Sequence, residues 1–118
     1  MKSHEELEVW HKAVELSVEV YRVTNVFPEE EKSGLTHHLR QASIAIASNI
    51  AIGVTRQNQQ ELIEHLSTAA GSASELNTQL VISRRLGFSS EKALRSIEME
   101  TRVICRMLQG LVKSASRG

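Results

Sequence analysis

The segment between residues 35 and 54 constrains the fold most, because apolar side chains occupy almost every side of the helix that it predicts. One stripe is formed by Leu35, Leu39, Ala42, Ile46, Ile50 and Gly53. A second group extends the apolar surface around the helix: Ile44, Ala47, Ala51, Ile52 and Val54. A helix that is apolar on nearly all sides must be covered on nearly all sides. We therefore predict that the second group forms an oligomer interface.

Three other amphipathic segments predict helices, and the four helices together cover about 6–24, 33–55, 59–86 and 90–113. The start of the second helix stays open between Pro28 and Thr36, because Gly34 weakens its first turn. The first helix has two adjacent apolar stripes, one through Val9 and Val20 and one through Val14 and Tyr21. The third carries the heptad seam of a bundle: Leu62, Leu66, Ala69, Ala73, Leu76 and Leu80.

Local signals mark the helix ends. Asn58 and Glu61 have the spacing of a capping box, and Gly87 can adopt the left-handed conformation that ends a helix. Either Ser89 or Ser90 can cap the last helix. We expect residues 114–118 to fray, since they lack large apolar side chains.

These segments predict one all-α domain over residues 1–118, an antiparallel four-helix bundle with up-down-up-down connections. The chain has one proline and all 14 acidic residues are glutamate, which favours helix over turns. The turn near residue 57 places Arg40 close to Glu75. The small residues around Gly71 predict a close backbone approach by the third helix.

Charge and hydropathy limit the partners and the location. The formal net charge is zero, so any binding to a polyanion depends on a local patch. The longest apolar stretch, residues 42–54, is shorter than the roughly 20 residues that span a bilayer. Without a recognisable signal peptide, we expect a cytoplasmic protein with no membrane association.

The sequence gives little support for catalysis. A carboxylate-bridged metal site in a bundle needs several glutamates and two Glu-x-x-His pairs, but only Glu8 and His11 fit that spacing. Cys105 falls on the apolar side of the last helix, in which no histidine can activate it. There is no glycine-rich phosphate loop and no nucleophile elbow. We predict no catalytic residue, metal, cofactor or small-molecule substrate.

Several polar residues occur among apolar neighbours, where an isolated polar group is costly. One interpretation is a structural hydrogen-bond network that fixes helix register, formed by Arg40, Asn49, Glu75 and Gln79. The other is a set of phosphate contacts for nucleic acid, formed by Arg40, Arg56, Arg84 and Arg85. The residues alone leave both interpretations open.

Short motifs spread along nearly the whole chain are Leu7-Glu8-Val9-Trp10-His11-Lys12-Ala13, Val20-Tyr21, Phe27-Pro28, Gly34-Leu35, Leu39-Arg40-Gln41-Ala42, Ser48-Asn49-Ile50-Ala51, Gly53, Arg56, Gly71-Ser72, Glu75-Leu76, Thr78-Gln79-Leu80 and Leu86-Gly87. In number and spacing they make the chain resemble the bacterial four-helix-bundle proteins described as ribosomal RNA intervening-sequence proteins. The resemblance implies a left-handed bundle that assembles as a homopentamer. It also implies distant kinship with the accessory proteins of diversity-generating retroelements, pentamers that bind a reverse transcriptase and nucleic acid through a basic surface.

Two positions depart from the family pattern. Ile52 stands where the family usually has glutamate, and Gln41 replaces the second residue of its usual arginine pair. The resemblance leads us to expect a non-catalytic homopentameric scaffold whose partners are further copies of itself and RNA or a reverse transcriptase. The alternatives are a protein-binding adaptor with no nucleic-acid role and a metal-dependent bundle enzyme.

Overall fold

A computed structural model describes residues 3–117. Its helices are α1 (Glu8–Thr24), α2 (Leu35–Thr55), α3 (Gln59–Arg85) and α4 (Glu91–Arg117), with short 3-10 turns at His4–Glu6 and Glu29–Glu31. Within the described range there is no strand, and the helices form an elongated bundle of 45 × 21 × 19 Å. The predicted all-α four-helix fold is confirmed.

Contacts between the helices show the antiparallel arrangement. Ser17 in α1 bonds Ser43 in α2 at 3.0 Å, and Thr24, further along α1, meets the earlier Arg40. Asn49 of α2 faces His65 of α3, a pairing that agrees with a turn centred near residue 57. At the two ends of α3, Gln59 bonds the carbonyl of Ala115 and Arg84 bonds Glu98. Each helix therefore runs opposite to the one that follows it.

The core consists of one apolar seam from each helix. Leu66, Ala69, Ala73, Leu76 and Leu80 are all buried, which confirms most of the heptad seam predicted for α3. In α1 the stripe through Val9 and Val20 is buried, whereas Val14 and Tyr21 of the other stripe stay exposed. The buried hydroxyl of Thr101 donates to the carbonyl of Ile97, so it costs little inside the core.

Three predicted end signals are present, although only the Asn58 half of the capping box forms a hydrogen bond among the described residues. The side chain of Asn58 accepts a hydrogen bond from the backbone of Glu61 at 3.0 Å. Ser90, the second of the two candidate serines, accepts from the backbone of Ala93 at 3.1 Å. Gly87 has a φ of 72°, the left-handed conformation that a glycine adopts at little cost.

The last helix continues four residues beyond the predicted end at 113. Gln59 donates to the carbonyl of Ala115, and Ser116 donates to the carbonyl of Val112 at 2.8 Å. Val112 also packs against the core, so the end of α4 has contacts that its small side chains did not reveal. Residues 1, 2 and 118 of the predicted domain lie outside the described range.

The ends of the bundle are closed differently. At one end Phe27 and Phe88, from the connections α1–α2 and α3–α4, meet edge to face with ring centroids 5.6 Å apart. At the other end, the turn between α2 and α3 is exposed at Arg56 and Gln57. The aromatic contact therefore joins the α1–α2 connection to the α3–α4 connection, and it lies at the end of the bundle opposite the α2–α3 turn.

The close helix approach occurs at Gly53, and the prediction of one at Gly71 is wrong within the chain. A Cβ atom added to Gly53 would lie 2.9 Å from the Cβ of His65, whereas one on Gly71 would meet nothing within 4 Å. The absence of a side chain at residue 53 thus allows α2 and α3 to approach this closely.

Alanine substitutions at these two glycines should have opposite effects. We expect Gly53→Ala to lower the free energy of unfolding by roughly 1–2 kcal/mol, because α2 and α3 must move apart. We expect Gly71→Ala to raise it by about 0.5–1 kcal/mol through helix propensity alone. Urea denaturation followed by circular dichroism measures both, and equal effects of the two substitutions would contradict the packing at Gly53.

Candidate interaction surfaces

An apolar surface lies across α1 and α2. We define the α1–α2 face by the exposed side chains of Val14, Val18, Tyr21 and Ile44, which are 36%, 38%, 41% and 42% accessible. Val18 and Tyr21 line the groove between the two helices together with Arg40 of α2. Ile44 follows Arg40 by one helical turn and so lies along the same edge of α2.

The predicted oligomer interface falls on more than one part of the surface. Ile44 and Ile52 are exposed, while Ala47, Ala51 and Val54 are half-buried. Ile52 lies one turn after Asn49, and Asn49 faces α3. Ile52 therefore lies towards the α3 edge of α2, and not the edge that carries Ile44. Val54 lines a cleft with Leu7 and Leu62 at the end of the bundle. From the predicted group, Ile44 contributes to the α1–α2 face directly.

Arg40 connects α1 and α2. Its guanidinium carbon lies 4.5 Å from the centroid of the Tyr21 ring, a cation–π contact, and its Nε donates to the hydroxyl of Thr24 at 2.9 Å. That hydroxyl in turn donates to the carbonyl of Val20. Arg40 is therefore on the α1 side of α2, and not beside Glu75 on α3.

The four residues predicted as a polar network do not join in one. Asn49 bonds His65 at 3.1 Å and the carbonyl of Ala45 at 2.9 Å. Glu75 is exposed, and the buried side-chain oxygen of Gln79 has no hydrogen-bond partner. With Arg40 turned towards α1, these residues make separate contacts. His65, which the prediction did not include, is the partner that Asn49 finds.

The buried ion pair of the described residues joins α3 to α4. Arg84 donates from Nε to one carboxylate oxygen of Glu98 at 2.8 Å and from an outer nitrogen to the other at 3.4 Å. The side chain of Glu98 is only 4% exposed and that of Arg84 15%. The hydrogen bond to Glu98 is the main cause that raises the pKa of Arg84. Arg84, predicted as a phosphate contact, is thus engaged within the bundle.

A row of cations follows the outer side of α4. We call it the α4 row, and its members alternate at spacings of seven and four: Arg95, Arg102, Arg106, Lys113 and Arg117. All five are exposed. Arg95 lies 3.7 Å from exposed Glu91, and the other four form no ion pair with any described residue. Alternation of seven and four keeps side chains on one side of a helix.

Small residues of α3 pack against α4 at Cys105. Cys105, which lies between Arg102 and Arg106 in the sequence, is 3.8 Å from both the hydroxyl of Ser74 and the carbonyl of Ala70. Arg102 and Arg106 are both exposed. Cys105 itself is a half-buried contact between α3 and α4.

Two of the other predicted phosphate contacts lie near the ends of the α4 row. Arg85 is exposed at the end of α3, next to Arg84 in the sequence. Arg84 binds Glu98, which is one helical turn from Arg95 of the row. Arg56 is exposed in the turn that precedes Gln59, and Gln59 bonds Ala115 near the end of α4. The sequence prediction missed the row itself, although its spacing is visible in the sequence.

The residues considered for metal binding stay apart. Glu8 and His11 are exposed on α1, and the ring of His11 bonds the backbone carbonyl of Glu5 at 2.8 Å. In residues 3–117 no three side chains of the types that ligate metals come together. Within the same range, no helix combines the length and apolarity needed to cross a bilayer.

Comparison with known proteins agrees with this architecture. Residues 5–110 match the family model described as 23S rRNA-intervening sequence protein. A similar solved structure is a protein of unknown function from the S23 ribosomal protein family of Bacteroides thetaiotaomicron, with a TM-score of 0.82 at 21% identity. The match covers 89% of this chain and 95% of that one, while no curated protein matches. Because the family model covers most of the sequence, this chain belongs to the 23S rRNA-intervening sequence protein family.

Proposed function

We propose that this protein is a non-catalytic, homo-oligomeric scaffold that binds RNA through the phosphates of its backbone. The α4 row carries the proposal, because it is a line of exposed cations on a chain whose net charge is zero. The family description names ribosomal RNA, which makes RNA the polyanion to test first. Five copies are the number that the sequence resemblance implies.

The distribution of charge supports a phosphate-binding surface. Helix α4 contains Lys92 in addition to the five cations of the row, against Glu91, Glu98 and Glu100. Glu98 is buried against Arg84, so it does not lie among the exposed cations. From Arg95 to Arg117 the row extends over about 33 Å of helix. A line of cations of this length contacts several phosphates of one strand, and each contact releases counterions.

The α1–α2 face supports assembly. Val18 and Ile44 are large apolar side chains exposed on neighbouring helices, and the Tyr21 ring of α1 contacts Arg40 of α2. Contiguous apolar patches on protein surfaces commonly mark contacts with other proteins. Assembly through this face would repeat the α4 row once per copy, so that weak phosphate contacts add on one RNA.

RNA binding should depend on salt and on the α4 row. We expect a structured RNA hairpin to bind at low salt, with an affinity that falls steeply as salt rises. Replacing Arg102 and Arg106 with glutamine should lower the affinity roughly tenfold and reduce the slope of log affinity against log salt by about 2. Fluorescence anisotropy at several salt concentrations measures both quantities.

The matched control removes two cations elsewhere. Arg22 and Lys32 are exposed and lie outside the α4 row, and each has a glutamate neighbour on its own turn. Their replacement by glutamine changes the net charge equally and should leave the salt slope within about 0.5 of the original. If hairpin RNA, single-stranded RNA and duplex DNA all fail to bind at moderate salt, nucleic-acid binding is excluded. An equal loss in both variants would remove the α4 row as the site.

A further inference from the structure

A groove between α1 and α4 has a different character from the α4 row. Its volume is about 650 Å³, and Met99, Val103 and Ile104 of α4 form its apolar floor. Met99 is 66% exposed and Val103 38%. A second cavity of about 340 Å³, which shares Ser96 and Glu100 with the first, continues the groove towards Val26. Together they follow α1 over about 25 Å, the length of a helix of four to five turns.

The charged side chains along this groove are mainly acidic. Glu8 and Glu15 of α1 and Glu100 of α4 line it, and none of them forms an ion pair with a described residue. Lys12 lies between the two glutamates of α1. In the second cavity Glu19 pairs with Arg22, so these two charges offset each other. The groove is therefore an apolar channel with an acidic border.

We propose that this groove binds an amphipathic basic helix of another protein. The apolar stripe of that helix packs on Met99 and Val103, and its lysine or arginine side chains lie against Glu8, Glu15 and Glu100. An amphipathic helix in a groove presents anchors at spacings of three and four, which suits an elongated apolar floor. An exposed methionine adapts its flexible side chain to such anchors.

The acidic border distinguishes this surface from the RNA site. A phosphate backbone is repelled by Glu8, Glu15 and Glu100, whereas lysine and arginine are attracted to them. Glu100 lines the groove against α1, whereas the exposed cations of the α4 row do not line it.

The test uses the full chain and two designed peptides. One peptide is an amphipathic helix with leucine at its apolar positions and lysine at its polar positions, and the other has glutamate in place of lysine. We expect the lysine peptide to bind with micromolar affinity in fluorescence anisotropy and the glutamate peptide not to bind. Glu100→Lys should weaken the lysine peptide roughly threefold to tenfold, and this loss should shrink at high salt.

The substitutions M99Q and V103Q together should weaken the lysine peptide at least tenfold, since they remove the exposed apolar floor. Ile82 on α3 and Leu86, the residue after α3, have similar exposure, 43% and 58%, so L86Q with I82Q is the matched control and should leave affinity within twofold. No binding of the lysine peptide, or equal losses in both double variants, overturns the proposal. It is also overturned if M99Q with V103Q changes the oligomer size in light scattering, because another copy then occupies the groove. Loss of RNA binding in that variant would assign the groove to RNA.

Discussion

Replacing Arg84 with methionine is expected to destabilise the bundle more than any surface substitution, because it leaves the Glu98 carboxylate without a partner. Glu98 is 4% exposed as a side chain, and both its oxygens accept hydrogen bonds from Arg84. Burying that carboxylate without its partner costs about 3 kcal/mol or more. Denaturant unfolding at neutral pH should show a loss of this size.

The double substitution Arg84→Met with Glu98→Met is the control for this result. It removes both charges and places apolar side chains between α3 and α4, so it should recover most of the lost stability. Recovery would show that the unpaired carboxylate, and not the missing arginine stem, is the cause. If the single and double variants unfold at the same denaturant concentration, the ion pair does not have the proposed effect.

Replacing Val18 and Ile44 with glutamate is expected to convert the proposed oligomer into monomers. Both side chains belong to the α1–α2 face, and two carboxylates there would lose their hydration in a contact with another copy. Their exposure in the single chain means that the fold itself should tolerate the change. Light scattering coupled to size-exclusion chromatography measures the mass, and circular dichroism checks the helix content.

Ile82 provides the control for the oligomer experiment. It is 43% exposed, close to the 42% of Ile44, but lies on α3 away from the α1–α2 face. Ile82→Glu should leave the oligomer mass unchanged. A wild-type protein that is monomeric at micromolar concentration would contradict assembly altogether. A variant with both glutamates that keeps the wild-type mass would place the contact on a different surface.

The sequence predicted most reliably those features that depend on residue spacing within a single helix. The heptad of α3 and the cap at Asn58 depend on spacing within one helix, and both appear in the structure. The two stripes of α1 show what spacing within one helix does not determine. Periodicity identifies a wide apolar face, but which stripe the neighbouring helices cover depends on their placement, so the spacing does not show that Val14 and Tyr21 stay exposed.

Contacts between distant residues were harder to predict. The contact between Asn49 and His65 agrees with a turn near residue 57, yet the position of the turn gives no information about rotation around α2, and Arg40 faces α1. Arg84 and Glu98 are separated by a helix end and a loop, and no local pattern marks them as partners. The α4 row was not predicted, because the candidate residues were polar residues in apolar segments, whereas these cations lie on a polar side of α4.

The contact between Phe27 and Phe88 has a practical consequence for the experiments. It joins two connections that are far apart in the sequence, so insertions or bulky labels in either one would disturb both. The turn at Gln57 is exposed at the opposite end, with no such aromatic contact. A fluorescent dye for the binding measurements is therefore best attached at Gln57, through a cysteine introduced there after Cys105 has been replaced by alanine.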